Sequence, residues 1–349
     1  MSDSLFDDPA QELHGPIEAV AASEELTRLG RRLPQQVFLG TSSWAFPGWH
    51  GLIYENEYPE SRLTREGLSA YSRHPVLRAV GVDRGAYHGL DAADWGRYAK
   101  QVPDGFRFMV PAPSVVTEAV PRGPRRPPAP AASNPRFLDA TYATEHFVMP
   151  ALEGLGHRTG PLLLQFSPIP SELTREPQPL IDRIAGFLAR LPDSHSGVTP
   201  LYAVELRNPE LLTPRFVHRL REAGARLCIG IHARMPPVAR QAAALRSMDA
   251  GSLDASDAPE GGWSLAGPLV VRWSLHAGMT TEQARSRYAP FSRLVDPDLV
   301  TRGTLVHLIR VAVRSRQSAF IIVGNEAEGC APLSCIELAR ALADRSESG

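Results

Sequence analysis

The sequence contains almost no lysine, and this scarcity argues against several enzyme classes. Lys100 is the one lysine among 37 basic residues. A phosphate-binding P-loop needs a Gly-Lys-Ser/Thr run, and the sequence contains none. Schiff-base chemistry needs a lysine in a desolvated site, whereas the run around Lys100 is typical of an exposed helix end. The sequence therefore argues against lysine-based covalent catalysis.

The sequence also has few cysteines, no long apolar run and almost no net charge. Three cysteines without a Cys-x-x-Cys pair argue against a disulfide framework or a zinc knuckle. No apolar run reaches the length of about 18 residues that spans a bilayer, and the acidic first nine residues lack the apolar stretch of a signal peptide. A formal net charge of −1 argues against a dedicated nucleic-acid or membrane-surface protein. We therefore expect a cytoplasmic protein with no membrane partner.

Eight short apolar runs alternate with helical patterns and predict the fold. The runs cover residues 37–39, 79–82, 106–110, 162–166, 201–205, 227–231, 269–273 and 320–323. Near-continuous apolar runs between helices are typical of parallel strands that are buried on both faces. Eight such units predict an α/β fold, a (β/α)8 TIM barrel in a single domain. A doubly wound sheet is the alternative, and the lack of a Gly-x-Gly-x-x-Gly run after the first strand weakens it.

Composition also divides the chain into segments. Residues 1–33 are polar and predict a tail or a docking helix, in front of a barrel domain that spans residues 34–349. Residues 120–134 are rich in proline and arginine and predict a loop, because proline fixes φ and lacks a hydrogen-bond donor. Residues 247–262 are rich in Asp, Gly and Ser and predict a second, flexible loop.

Polar residues at the ends of the predicted strands indicate a site. Alternate strand residues share a face, so Ala203, Glu205 and Arg207 are expected to face the barrel axis. The other polar residues at strand ends are Asp83, Gln165, His232, Arg272, His276 and Asn325. A TIM barrel carries its chemistry at this end; the alternative is a plug of paired charges that closes the mouth. An unpaired buried charge is costly, so we expect Glu205 to pair with Arg207 or Arg272.

The first predicted strand and the loop after it carry a family likeness. Residues 40–54 read GTSSWAFPGWHGLIY, which resembles the signature of domain of unknown function 72, the YecE-like proteins. Weaker matches follow in the family's order, at residues 106–108 (FRF), 165–168 (QFSP), 205–209 (ELRNP), Arg272 and residues 325–332 (NEAEGCAP). The resemblance runs from about residue 38 to 342. It implies a TIM barrel, in agreement with the strand count, and it implies no particular activity.

Three positions depart from the family pattern. Gly81 stands where the family has a carboxylate, Pro111 where a lysine is usual and Glu118 where a histidine is usual. The resemblance therefore implies a divergent branch whose pocket has lost an acid and a base.

The leading functional hypothesis is a pocket for an anionic small molecule, a carboxylate or a phosphate. Arg207 and Arg272 would clamp the anion through paired hydrogen bonds, and Glu205 and His232 would form the acid–base pair. The other predicted ligand contacts are His276, Asn325, Gln165, Asp83, Tyr87 and Trp44. The expected chemistry is hydrolysis, isomerisation or a lyase reaction, and the sequence does not decide whether the protein is an enzyme.

Three alternatives stay open. Glu205, His232 and His276 are a plausible ligand set for a divalent metal, although no compact motif supports it, and no other cofactor is predicted. Nucleic-acid binding would use aromatic residues for base stacking and arginines of the proline-rich loop for phosphates. The residues of that hypothesis are Trp44, Phe46, Trp49, Tyr54, Arg122, Arg125 and Arg126. The third alternative is a non-catalytic scaffold that recruits a partner through the tail and the proline-rich loop.

Overall fold

Eight parallel strands form a closed barrel in chain order. The computed structural model describes residues 15–82, 89–120, 134–233, 235–250 and 263–344. The strands are β1 (Val37–Thr41), β2 (Leu77–Gly81), β3 (Arg107–Pro111), β4 (Thr159–Phe166), β5 (Leu201–Leu206), β6 (Arg226–Ile231), β7 (Leu269–Trp273) and β8 (Ala319–Val323). Val37 pairs with Ala319 and Thr41 with Val323, so β1 closes on β8. The predicted TIM barrel is confirmed, and closure excludes the doubly wound sheet.

Helices surround the barrel and cover the outer faces of its strands. They are α1 (Glu24–Arg32), α2 (Glu60–Glu66), α3 (Leu68–Tyr71), α4 (Ala92–Ala99), α5 (Ser114–Thr117), α6 (Ala140–Ala143), α7 (Met149–Leu155), α8 (Ser171–Thr174), α9 (Pro177–Leu188), α10 (Pro214–Glu222), α11 (Val238–Asp249), α12 (Thr281–Tyr288), α13 (Leu299–Arg314) and α14 (Ala331–Ala343). A π-helical turn, Thr144–Val148, joins α6 to α7. Within the described ranges, no helix is both long enough and apolar enough to cross a bilayer.

Side chains fill the inside of the barrel. The inner cluster consists of Ala79, Met109, Leu163, Ala203, Cys228, Val270, Phe320 and Ile322. Ala203 belongs to it, which confirms the inward parity predicted for β5. The rings of Phe38 and Phe320 stack with their centroids 4.8 Å apart. The barrel axis is therefore a packed core, and its carboxyl-terminal end carries polar groups that can form a site.

The segment predicted as a tail or docking helix contains α1, which packs against α14. The Ser23 side chain accepts a hydrogen bond from Leu26 N and caps the start of α1. Arg32 Nη2 donates to the Ala343 carbonyl oxygen at 3.0 Å, and Arg340 forms an ion pair with Glu25 at 3.1 Å. Residues 15–33 are thus attached to the barrel domain, and residues 1–14 lie outside the described part.

The two predicted loops fall largely outside the described residues. Only the ends of the proline-rich segment, residues 120 and 134, are described. The second loop starts later than expected, because α11 continues to Asp249. Met248 is fully buried there, and Asp249 accepts two hydrogen bonds from Arg226 at 2.5 and 3.1 Å. Residues 251–262 are not described.

Candidate functional site

Glu205 lies on the inner face at the carboxyl-terminal end of the barrel. Gln165 is its register partner on β4, and Gln165 Nε2 donates to Glu205 Oε1 at 2.9 Å. Arg272 Nη1 donates to Glu205 Oε2 at 3.2 Å. Glu205 is only 2% exposed, so these two hydrogen bonds offset a burial that would otherwise be costly for a carboxylate. The predicted pairing of Glu205 with Arg272 is confirmed.

Gly230 makes this pair possible, because β6 lies between the strands that carry its two members. Gly230 is the register partner of Arg272. A Cβ atom on Gly230 would lie 3.2 Å from Glu205 Cγ and 2.4 Å from Met235 Cε. The Gln241 side chain, on α11, exchanges hydrogen bonds with Gly230 N and O at 2.9 and 2.8 Å and holds this backbone in place. A side chain at position 230 would therefore occupy the space in which Glu205 and Arg272 meet.

A cleft of about 180 Å³ opens at the same end of the barrel. Arg272 connects the buried pair with this cleft. The lining residues come from α12 and from the ends of five strands, and they are Ser42, Arg207, His232, Arg272, Ser274, Thr281, Arg285, Gly324 and Glu326. The cleft thus collects groups that are far apart in the sequence.

The cleft carries an excess of positive charge. Among the described lining residues, three are arginines and one is a glutamate, which leaves a net charge of +2 for this part of the lining when His232 is neutral. Arg285 Nε lies 3.0 Å from Glu326 Oε1. The buried Glu205 beneath Arg272 lowers the local sum to +1. This charge favours the approach of anions.

A family model now accounts for most of the chain. The model for the protein of unknown function DUF72 matches residues 38–348. The chain belongs to the DUF72 family. Two solved structures of a DUF72 family protein from Enterococcus faecalis V583 are similar to it. One has 17% sequence identity and a TM-score of 0.53, covering 88% of this chain and 95% of that chain. The other has 16% identity and a TM-score of 0.50, covering 88% of this chain and 97% of that chain.

Because the sequence identities are low, the similarity to these two DUF72 structures supports the fold of the chain and no statement about its ligand or chemistry. The family match confirms the resemblance carried by residues 40–54. Among functionally curated proteins, none matches this chain.

Gly81, where the family resemblance implies a lost carboxylate, is closely packed in the structure. A Cβ atom on Gly81 would lie 3.2 Å from Ile322 Cγ2 and 3.4 Å from the Ser42 backbone. Ile322 thus fills space that a larger side chain on β2 would need.

Five of the predicted site residues lie together. Arg207, His232 and Arg272 line the cleft, and Gln165 and Glu205 form the hydrogen-bonded group beneath it. Asp83 and Tyr87 lie outside the described residues, so the structure says nothing of them.

Three other predicted residues have contacts within the fold and do not line the cleft. Asn325 Oδ1 accepts from Ala331 N at 2.9 Å at the start of α14. Trp44 is 2% exposed, and its Nε1 donates to the Leu63 carbonyl oxygen at 2.9 Å. His276 Nδ1 lies 2.9 Å from the carbonyl oxygen of the next residue. Their position after strands reflects capping and packing of the loops.

The sequence analysis did not include Thr281, Arg285 and Glu326, which line the cleft of this DUF72 protein. Two of them lie on α12, whose buried residues are only Ala284 and Tyr288. So few buried positions leave no clear apolar period in the sequence.

A capping signal in the sequence would have located α12. Thr280 is followed three residues later by Gln283, the spacing of a capping box. In the structure, Gln283 N donates to Thr280 Oγ1 at 3.2 Å and Thr280 N donates to Gln283 Oε1 at 2.9 Å. This pair marks the start of the helix that brings Thr281 and Arg285 to the cleft.

A second buried carboxylate lies near the barrel mouth. Glu118, one of the positions where the sequence analysis expects a departure from the family pattern, is 8% exposed. Ser167 Oγ donates to Glu118 Oε1 at 3.3 Å. Ser167 follows Gln165 by two residues, just after the end of β4.

The metal and nucleic-acid alternatives gain no support from the described residues. No group of three or more His, Cys, Asp or Glu side chains in the described part is arranged to hold a metal ion. Trp44, Trp49 and Tyr54 are at most 2% exposed, and Phe46 packs on Trp49 with ring centroids 5.0 Å apart. These aromatic side chains therefore pack in the core of the loop that follows β1. The arginines of that hypothesis lie outside the described residues.

A larger cleft of about 780 Å³ lies at the opposite, amino-terminal end of the barrel. Its wall includes Arg221, Arg226, Arg314 and Arg316. Arg226 is already held by its buried ion pair with Asp249. Because TIM barrels carry their chemistry at the carboxyl-terminal face, we place the candidate site of this DUF72 protein at the smaller cleft.

Proposed function

We propose that this DUF72 protein binds an anionic small molecule at the carboxyl-terminal mouth of its barrel. The observation that carries the proposal is the net positive charge of the described cleft lining, where Arg207, Arg272 and Arg285 outnumber Glu326. The planar guanidinium group binds carboxylates and phosphates through paired hydrogen bonds. A small cleft with three such groups is suited to a compact anion.

His232 and Glu205 have different roles in this proposal. His232 lines the cleft, and histidine is the side chain whose charge changes most readily near neutral pH. It is the proton-transfer group. Glu205 is buried, and both of its oxygens accept hydrogen bonds, so it acts as a positioning residue that holds Arg272. The chemistry that this set supports is proton transfer on a bound anion, as in hydrolysis, isomerisation or a lyase reaction.

The test is a binding screen with matched variants. Thermal shift and calorimetry with a panel of small carboxylates and phosphates identify ligands of the wild type. Arg272→Lys keeps a positive charge beside Glu205 but removes the forked geometry, and we expect roughly tenfold weaker binding. The control is Arg215→Met on α10, whose partner is the half-exposed Asp182; it should bind as the wild type does.

His232→Gln separates binding from chemistry, because it should keep the ligand and lose turnover of any substrate found. The proposal fails when no anion binds, or when Arg272→Lys binds as tightly as the Arg215→Met control.

A further inference from the structure

The cleft has two sides with different chemistry. Arg207 and His232 lie on the side of β5 and β6. The opposite side, named here the hydroxyl side, is formed by Ser42, Ser274, Thr281 and Arg285. These residues follow β1, follow β7 and lie on the first two turns of α12. Thr281 and Arg285 are four residues apart, so they share one face of that helix.

Among the described residues, most hydrogen-bond donors of the hydroxyl side have no partner. In the described ranges, no residue forms a hydrogen bond with the hydroxyl group of Ser42, Ser274 or Thr281. Arg285 uses its Nε to bind Glu326 Oε1 at 3.0 Å. Its two terminal nitrogens, which carry four N–H donors, have no hydrogen-bond partner in that part of the chain. Three hydroxyl-bearing residues and one arginine thus line a common space.

The number and spread of these donors distinguish between anions. A carboxylate has two oxygens in one plane, and a single arginine satisfies both. A phosphoryl group has three terminal oxygens that point in different directions, with a charge of about −1.5 to −2 at neutral pH. The donors here come from three separate segments of the chain, and the described part of the cleft lining has a net charge of +2. Both properties match a phosphoryl group better than a carboxylate.

The size of the cleft limits what is attached to that group. A volume of about 180 Å³ is well below the roughly 300–1,000 Å³ of sites for drug-sized ligands. It accommodates a phosphoryl group with a few further atoms and is too small for a nucleotide. We propose that the ligand is a small phosphomonoester, with its phosphoryl group on the hydroxyl side and its organic part towards His232 and Arg207. This inference rests on the proposed function, since it names the class of anion that the mouth binds.

The test is calorimetry at low ionic strength with glycerol 3-phosphate, inorganic phosphate and glycerate as probes. We expect glycerol 3-phosphate to bind more tightly than the other two. Arg285→Met should weaken its binding about tenfold, through loss of a charge-assisted contact. Glu326→Gln should strengthen binding about threefold, because it removes a like charge from beside the phosphoryl group.

The matched control is Arg287→Met. Arg287 lies on the same helix as Arg285 but pairs with Asp296 at 2.7 Å, and it does not line the cleft. Its binding constants should equal those of the wild type.

Each contrary result has a distinct meaning. Tighter binding of glycerate than of glycerol 3-phosphate overturns the phosphate assignment and leaves the proposed function standing. Inorganic phosphate binding as tightly as the ester overturns the organic part of the assignment. Weaker binding in Glu326→Gln overturns the placement of an anion on the hydroxyl side. If none of the three probes binds and no other anion does, the proposed function itself fails.

Discussion

Replacing Arg272 by methionine is expected to destabilise the barrel strongly, because it leaves Glu205 as a buried charge without its cation. The side chains of Glu205 and Arg272 are 3% and 14% exposed. Of the described residues, Gln165 alone still donates to the carboxylate after the replacement. Removing one partner of a buried pair costs about 3–5 kcal/mol. We expect the free energy of unfolding of Arg272→Met to fall by an amount in this range.

A double-mutant cycle isolates the charge from the lost packing. In Glu205→Gln the arginine remains beside the cleft, where water reaches it, so we expect a smaller cost of about 1–3 kcal/mol. Adding Glu205→Gln to Arg272→Met removes the uncompensated charge. The double variant should therefore be more stable than the sum of the single effects predicts, by about 2 kcal/mol.

The assay is urea denaturation followed by circular dichroism and tryptophan fluorescence, which must give coincident transitions before free energies are compared. The exposed pair of Arg215 and Asp182 provides the control, and Arg215→Met should cost less than about 1 kcal/mol. The reasoning is refuted when Arg272→Met costs no more than this control, or when the two single effects simply add.

Three further predictions concern other parts of the barrel. Burial lowers the pKa of His74 from 6.5 to about 4, so the unfolded chain takes up the proton first as the pH falls. The contribution of neutral His74 to the free energy of unfolding is therefore complete above pH 6.5 and is lost as the pH falls towards 4. His74→Gln should remove up to about 3 kcal/mol of this pH-dependent loss of stability. An unchanged pH dependence of urea unfolding in this variant contradicts the prediction. All three cysteines are buried and burial raises the pKa of Cys330 to about 12, so a thiol reagent should count no reactive thiol in buffer and all of them in guanidinium chloride. Gly40→Ala should cost at least about 2 kcal/mol, because its Cβ atom would lie 2.0 Å from the Ala79 carbonyl oxygen. Gly105→Ala has open space and should cost less than about 1 kcal/mol in the same thermal or urea unfolding assay.

The strands were predictable from the sequence because each is buried on both faces. Val270 and Cys228 face the inside of the barrel and their neighbours face the helices, so the runs are apolar throughout. Parity then placed Glu205 and Arg272 on one face, and the cost of an isolated buried charge predicted that they pair. These features depend on burial and periodicity, which a sequence displays directly.

The helices α11 and α12 were not predicted, for a physical reason. α12 buries only two residues, and α11 lies next to a segment whose composition suggests a loop. The sequence therefore showed no apolar pattern that would have indicated Gln241 behind Gly230 or Arg285 in the cleft.

The roles of Trp44 and Asn325 show a second limit. A sequence shows that a polar or aromatic residue follows a strand, but not which backbone group it satisfies. Trp44 donates to the Leu63 carbonyl oxygen, and Asn325 accepts from the first residue of α14. Such partners are set by loop geometry, which emerges only when the barrel has closed.

Because β1 pairs with β8, the barrel cannot close until nearly the whole chain has been synthesised. The strand that contains Val37 can pair with the strand that contains Ala319 only after Ala319 has left the ribosome. At elongation rates of about 5–20 residues per second, this delay is on the order of tens of seconds. Throughout that time one edge of an apolar strand stays open to other chains, and such edges promote aggregation. The distance in sequence between the first and last strands thus sets how long the nascent chain must be protected from its neighbours.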